Sequence, residues 1–490
     1  MSSERANTPH VCIVGAGVSG LRCADILLSH GFKVTILEAR GRIGGRVCQS
    51  DELGYTVDLG ANWIHTWDSG EVHPIWKLAD ETRTPVHHWN TQQLIYDTSG
   101  NPLSDETTER LSTLLWKIIE EAFEFSIKAH HQDGGKSIPK AESLQDFIRR
   151  RADVELENEK EKETLLQMSE MWGAYVGEPV WRQSLRFAWM EECCGGEEMF
   201  VASDYSAILD QISKPAREQA SVKLGTKVVS VQTPTIKSSN QSLLITTEDG
   251  SKFEFDEVVM TTPLGWLQTH LDCFSPPLPS RLDSAINNLK LSQLEKVFIT
   301  FPSAFWISDR TQDSFPSYTN WLAPEYAPDT NPKHWPQEIW NLASFKEPNT
   351  HPTILFYLYG DCSRHIVNSI YGKTKAAKDS FVNDFFYPYY SRLPGFDPNN
   401  PDCSPKAILA SEWLKDELNG YGSYCNFQVG IEEADKDVET IREGCAERRL
   451  WFCGEHAAPF EECGTVAGAY LSGESVGKKV VEIYKYSSAS

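Results

Sequence analysis

The sequence has no C-x-x-C pair and no cysteine or histidine grouping at zinc-ligand spacing. Its 12 cysteines are spread thinly over 490 residues, with Cys193-Cys194 the one close pair. The start, MSSERANTPH, is polar and carries no apolar leader segment. Scattered thiols without a leader predict a reduced intracellular protein, with the cytoplasm as the expected compartment. No apolar run is long enough to span a bilayer, so no membrane association is expected. Ser487 to Ser490 do not form an S-K-L type address. Basic residues are outnumbered, with a formal net charge of −23. That argues against non-specific nucleic-acid binding and suits long-range attraction of a cationic ligand. It is equally the charge of many ordinary soluble proteins. Hydrophobic residues make up 40% of the chain, enough for a large core, and the length predicts two to four domains.

What the sequence does contain is organised around Val11 to Arg46, VCIVGAGVSGLRCADILLSHGFKVTILEARGRIGGR. Val11-Cys12-Ile13-Val14 is a short apolar strand run that ends at Gly15-x-Gly17-x-x-Gly20. A helical pattern follows through Leu21, Ala24, Leu27 and Leu28 and stops at His30-Gly31. A second apolar run, Lys33 to Leu37, closes on Glu38. This is a βαβ unit with three glycines at its strand–helix junction. They permit a tight turn, close approach of backbone to a pyrophosphate, and close helix–strand packing. The helix start offers free N–H groups and a positive dipole end to phosphates. Glu38 stands where a carboxylate can accept both ribose hydroxyls. Dinucleotide binding is therefore predicted.

Arg42-Ile43-Gly44-Gly45-Arg46 follows directly. G-x-G-x-x-G, glutamate and R-x-G-G-R in this order resemble the FAD-binding signature of the flavin amine oxidase superfamily. The resemblance implies non-covalent FAD. It places Arg46 close to the flavin and gives Gly15, Ala16, Gly17, Ser19, Gly20, Glu38, Ala39, Arg40 and Gly45 as cofactor contacts. Leu59 to His65, LGANWIH, resembles the family's loop beneath the flavin, most closely in the polyamine oxidase branch. It adds Gly60, Ala61, Asn62 and Trp63, and puts His65 over the flavin near the substrate.

Residues 90 to 199 read as a helical block, with Thr107 to Ala129 its clearest helix. The dense mixed charge of Glu155 to Glu163 reads as a solvated helix face or loop. Glu191 and Glu192 follow an aromatic run and are candidates to line a substrate mouth. From about residue 200, Tyr205 to Ile212 is a predicted helix, Val222 to Val231 a strand, and Asp249-Gly250 a hairpin turn. This region, through Thr261-Thr262-Pro263-Leu264, resembles the family's second cofactor segment, where the backbone of Val228 meets the adenine. Val297 to Phe301, Ile339 to Phe345 and Ile354 to Tyr359 are predicted strands, and Asp379 to Tyr390 a helix or loop. Leu450 to Cys453 reads as a strand leading to Gly454-Glu455-His456. The helix opened by Thr465-Val466 is predicted to reach about Lys485. This last run resembles the family's final FAD motif. It implies contacts from Gly454, Glu455, Thr465 and Val466, with Glu455 at ribityl or pyrophosphate oxygens and a helix start directed at the flavin.

Lys296 falls on the family lysine that holds a water against flavin N5. A lysine in an apolar strand is costly to bury without a task. Trp413 matches the tryptophan flanking the flavin, and Tyr424 one aromatic wall of the amine cage. The sequence departs from the family at the opposite wall, where Thr465 replaces an aromatic of a G-Y-x-x-G run. Tethered members carry a cysteine where this chain has Gly422.

The expected fold is α/β. A Rossmann-type FAD-binding domain is built from 1–89, 200–265 and 425–490, and an α+β substrate domain, a mixed sheet flanked by helices, from 90–199 and 266–424. The resemblance implies an FAD-dependent oxidase taking a hydride from the carbon beside an amine nitrogen, with O2 reoxidation giving H2O2 and an imine that hydrolyses. A polyamine-type substrate is favoured. The alternatives are a tailoring oxidase of an amine-bearing natural product and a flavin-binding protein without turnover. A histone demethylase is disfavoured, because the fingerprint starts at residue 11 and no coiled-coil insertion is visible. The expected partners are a small amine and O2, with a monomer or homodimer as the assembly.

Overall fold

The computed structural model describes residues 8–67, 70–89, 92–191, 195–234, 242–307 and 315–487. The βαβ unit forms from His10–Val14, Val18–Ser29 and Lys33–Leu37. Its strands are the centre of a five-stranded sheet in the order Leu450–Phe452, Glu257–Met260, His10–Val14, Lys33–Leu37 and Ser221–Lys223. All four pairings are parallel. Val11, Cys12, Ile13 and Ile36 are fully buried, as strands covered on both faces require. One cover is the pair of helices Val18–Ser29 and Val466–Ser487. A Cβ on Gly473 would stand 2.1 Å from the Ser19 carbonyl oxygen, so glycine sets how closely these helices meet.

The second large sheet has six strands, in the order Ala407–Ala410, Leu294–Thr300, Thr353–Tyr359, Gln337–Asn341, Tyr318–Trp321 and Gln93–Tyr96. It is antiparallel except for its last pair. The helices Asp105–Asp133, Leu144–Glu155 and Glu159–Met168 share an apolar core that includes Leu111, Ile118, Ile148 and Leu165. Ser104, Ser143 and Asn158 cap them, each accepting backbone N–H groups that the helix start leaves unpaired. The mixed-charge run is the end of one of these helices and the start of the next. Among the described residues no helix is long and apolar enough to cross a membrane.

Three sequence readings need correction. Val222 to Val231 is not one strand. Ser221–Lys223 joins the parallel sheet, Gly225 turns the chain at φ +62°, and Val228–Gln232 enters a separate four-stranded sheet. Both halves are β-branched, so apolar pattern alone merges them. The strand expected to reach Phe345 ends at Asn341, whose side chain accepts the Ala343 N–H at 3.1 Å and starts a 3-10 turn. The helical block also contains strands. Gln93–Tyr96 is the edge of the six-stranded sheet, and Gly195–Val201 pairs with Trp63–Trp67 and Val86–His87. Their register comes from partners far away in sequence, which a local pattern does not carry.

Candidate active site

One cavity of about 330 Å³ is lined by residues of both large sheets. Every cofactor and catalytic residue expected from the sequence lines it, except Ala16 and Gly20. Gly15 has φ +111°, and a Cβ there would meet Thr261 Oγ1 at 2.5 Å. A Cβ on Gly20 would meet the Gly15 carbonyl oxygen at 2.3 Å. Gly17 is different, because a Cβ there would meet nothing within 4 Å. The space beside it is open to the cavity. The helix Val18–Ser29 has no side-chain cap and no acid in its first turn, so its leading N–H groups suit an anion. The buried Glu38 carboxylate accepts the Ala16 and Arg40 N–H groups, both at 2.7 Å, and retains lone pairs for hydroxyls. Ala39 and Val228 line this end as well, while the Arg40 guanidinium pairs with Asp416 at 2.8 Å. An uncapped helix, open space at Gly17 and a carboxylate at the next strand end fit a dinucleotide.

Toward the other end, Arg46 Nη1 donates to Glu455 at 2.8 Å and to the Ser423 carbonyl at 2.5 Å. Burial would raise the Glu455 carboxyl, but Arg46, His456 and the Cys425 side chain hold it below its usual range, and the Cys425 N–H also donates to it at 3.2 Å. Glu455 thus has these partners in place before any ligand arrives. Trp413 Nε1 donates to the Leu59 carbonyl at 3.3 Å. Its turn is fastened by the buried Glu295, which accepts the Leu414 N–H at 2.9 Å and the Ser411 hydroxyl at 2.5 Å. Ser411 in turn accepts the Lys296 N–H at 2.9 Å, so the turn carrying Trp413 and the strand carrying Lys296 are locked together.

Lys296 is buried on the strand Leu294–Thr300, second from the edge of the six-stranded sheet. Its Nζ donates to the carbonyls of Asp58, at 3.2 Å, and Gly60, and lies 5.6 Å from the Tyr357 ring centre. Burial pushes Lys296 down to about 7 against the charge of Asp58. Asp58 itself is pushed up by burial, although Gln49 and the Tyr205 N–H donate to it. Burial therefore favours the neutral form of both.

On the substrate side, the Tyr424 hydroxyl donates to the Tyr175 carbonyl at 2.6 Å, which fixes the ring. His65 Nδ1 is 3.6 Å from Glu198, and the Tyr175 hydroxyl donates to the same carboxylate at 3.1 Å. Thr465 does lie at the start of the final helix and on the cavity wall. Its hydroxyl accepts the Gly468 N–H at 2.8 Å and faces Glu462 Oε2 at 2.7 Å. It is a helix cap held by a buried acid. Glu191 is half-buried at the cavity wall, accepts the Phe427 N–H at 2.9 Å, and is pushed up to about 8 by desolvation. Glu192 lies outside the described residues.

Sequence reasoning missed Asp58, Tyr357 and Glu338, which all belong to this site's surroundings. For Glu338 a signal existed, since Glu338 and Trp340 alternate on one strand and both line the cavity.

The model of the flavin containing amine oxidoreductase family matches residues 18–481. The chain belongs to that family. As a flavin-containing amine oxidoreductase it is an FAD-dependent amine oxidase, with FAD held without a covalent bond. It is 25% identical to probable polyamine oxidase 4 of Arabidopsis thaliana, over 98% of this chain and 88% of that protein. It is 26% identical to polyamine oxidase 1 of Zea mays, over 95% and 89%. A lysine-specific histone demethylase 1 homolog of A. thaliana is 24% identical over 100% of this chain and 54% of its own length. A solved structure of a putrescine oxidase double mutant, redesigned in cofactor binding, aligns with a TM-score of 0.71 at 16% identity. That match covers 97% of this chain and 100% of the other. The amine oxidase therefore has the α/β fold expected from its sequence.

Proposed function

We propose that this amine oxidase acts on a polyamine-type substrate and releases H2O2. Bound FAD would supply the redox chemistry, serving as acceptor for a hydride from the carbon beside the amine nitrogen with O2 as the final oxidant, so that H2O2 and a hydrolysable imine would result. The glycine turn and Glu38 hold the nucleotide end of the cofactor. Trp413 and Arg46 position the ring end, and Tyr424 forms one wall for the amine. Lys296, held by two carbonyls and driven toward its neutral form, is placed to hold a water and to move a proton at Nζ.

The observation that carries the polyamine reading is the Glu191 carboxyl. It is half-buried at the cavity wall beside the run that bears Tyr424, and among the described residues an N–H group, not a base, engages it. Burying a carboxyl without a cation is costly unless a cation arrives with the ligand. A second reading, oxidation of a bulky ring-bearing amine, is favoured by Thr465, which leaves more room than an aromatic wall.

The test is H2O2 release across polyamines, acetylated polyamines, monoamines, ring-bearing amines and L-amino acids. Turnover of polyamines above all others is expected. Release with ring-bearing amines and none with polyamines would transfer the assignment to the second reading, and release with L-amino acids alone would overturn both.

A further inference from the structure

We propose that Cys425 and Cys463 form a peroxide-sensitive dithiol, which closes to a disulfide in the cavity wall between Tyr424 and Thr465.

Two chain segments meet there. Cys425 begins the short strand after Tyr424, and Cys463 follows the turn Phe460–Glu462, just before the final helix. Gly464, at φ +85°, lies against the first segment. A Cβ on it would stand 3.2 Å from the Tyr424 ring and 3.6 Å from the Cys425 carbonyl oxygen. Glycine therefore lets the two segments run in contact. Cys425 and Cys463 both line the cavity, and Cys463 packs on the apolar cluster that contains Cys425. Both are free thiols.

The two sulfurs differ in access. Among the described cysteines only Cys48 and Cys463 are not buried, and of these two only Cys463 lines the cavity. Its S–H has acceptors in the Ala458 and Pro459 carbonyls, at 3.8 and 3.7 Å, and its sulfur lone pairs remain for a second partner. Cys425 is 2% exposed. Its thiol is held well above its ordinary value, first by its hydrogen bond with Cys463 and then by burial and the Glu455 carboxylate. A thiol this hard to ionise does not attack peroxide, so Cys463 reacts first and Cys425 resolves.

The step balances. The Cys463 sulfur attacks one oxygen of H2O2 and the O–O bond breaks. That oxygen stays as a sulfenic acid, and the other leaves as water with the thiol proton. The Cys425 sulfur then attacks the sulfenic sulfur, the S–O bond breaks, and the oxygen leaves as water with the Cys425 proton. Two thiols are oxidised and one peroxide is reduced to water. The bond would tie the Tyr424 wall to the start of the final helix and remove the Cys425 hydrogen from Glu455. The supply of peroxide rests on the proposed function, while the chemistry of the pair does not.

Reduced wild-type holoenzyme should be treated with a few equivalents of H2O2, then alkylated and digested without reductant. One peptide pair joined through Cys425 and Cys463 is expected, about two mass units lighter than its two thiol forms together. Dithiothreitol should release it. Under the same treatment Cys463→Ser should leave Cys425 a free thiol, and Cys425→Ser should carry Cys463 as a sulfenic or higher acid. Wild type in which Cys463 is oxidised to sulfinic acid while Cys425 is still alkylated would overturn the pair, as would survival of both thiols. If no amine yields H2O2, the proposed function fails, while a bridge formed by added peroxide still stands.

Discussion

Glu38 and Lys296 line different parts of one cavity, and substituting them should separate cofactor binding from chemistry. Glu38→Ala removes a carboxylate whose charge-assisted hydrogen bonds contribute about 1.5–3 kcal/mol each. It should lose FAD during purification. Lys296→Met should keep FAD and lose turnover. Equal flavin content in the two purified variants would refute these roles. Thr465→Tyr should lower turnover of a bulky amine relative to a slender one, because it fills the wall that threonine leaves open. The structure adds a cost, since the cap on Gly468 N–H is lost, at about 1 kcal/mol. Steady-state kinetics with one amine of each kind checks the first effect, and an unchanged ratio would remove Thr465 from the pocket wall. The position of Thr465 was legible in the sequence, but its role as a helix cap was not. Nothing in the order of residues 462 to 468 says that a buried Glu462 claims the hydroxyl. Lys296 was legible because a lysine in an apolar strand is conspicuous, whereas Glu338 and Asp58 became part of the site only through pairing across the sheet and the fold of the LGANW loop.

Two glycines show how elements, rather than side chains, shape the cofactor site. At Gly17 an added Cβ meets open space, so Gly17→Ala should leave apoprotein stability intact and, if this space receives the pyrophosphate as proposed, weaken FAD binding. At Gly473 the Cβ would collide with the Ser19 carbonyl, so Gly473→Ala should push the first and last helices apart and lower the thermal midpoint even without FAD. Thermal melts of the two apoproteins, with FAD titrations, distinguish these outcomes, and equal melting points would contradict the packing account. The first glycine could be assigned from its spacing after a strand. The second lies in a helix whose partner is more than four hundred residues away, and only the folded chain shows why it must be small. The same limit explains the strands misjudged by local pattern. Gln93–Tyr96 and Gly195–Val201 owe their conformation to distant partners, while the βαβ unit is local and was legible in full.

At the scale of the whole molecule, buried carboxyls give the protein a pH signature. Glu191 and Glu338 are pushed up to about 8, and Glu170 and Glu295 to about 7, from an ordinary 4.5. Above about pH 4.5 the folded chain retains protons that the unfolded chain has released. Each group contributes stability that is fully present below that pH and is lost as pH rises through its folded value. The upper limit is about 1.4 kcal/mol per pH unit and group. Lys296 opposes this only above its own folded value near 7, where the unfolded chain binds the extra proton. Histidines held below their usual value by burial, His10, His73, His351, His365 and His456, act in the opposite sense below about pH 6.5. A single acid isolates the effect: between about pH 5 and pH 7 the wild-type apoprotein should lose thermal midpoint relative to Glu295→Gln, and a constant difference would contradict the burial of this acid. A polyamine oxidised in this cavity must reduce the bound flavin. Anaerobic mixing of the holoenzyme with spermidine tests it most directly. The yellow flavin absorbance should bleach in the wild type and return when O2 is admitted, with H2O2 released. A flavin that stays yellow with spermidine, in protein fully loaded with FAD, would contradict it.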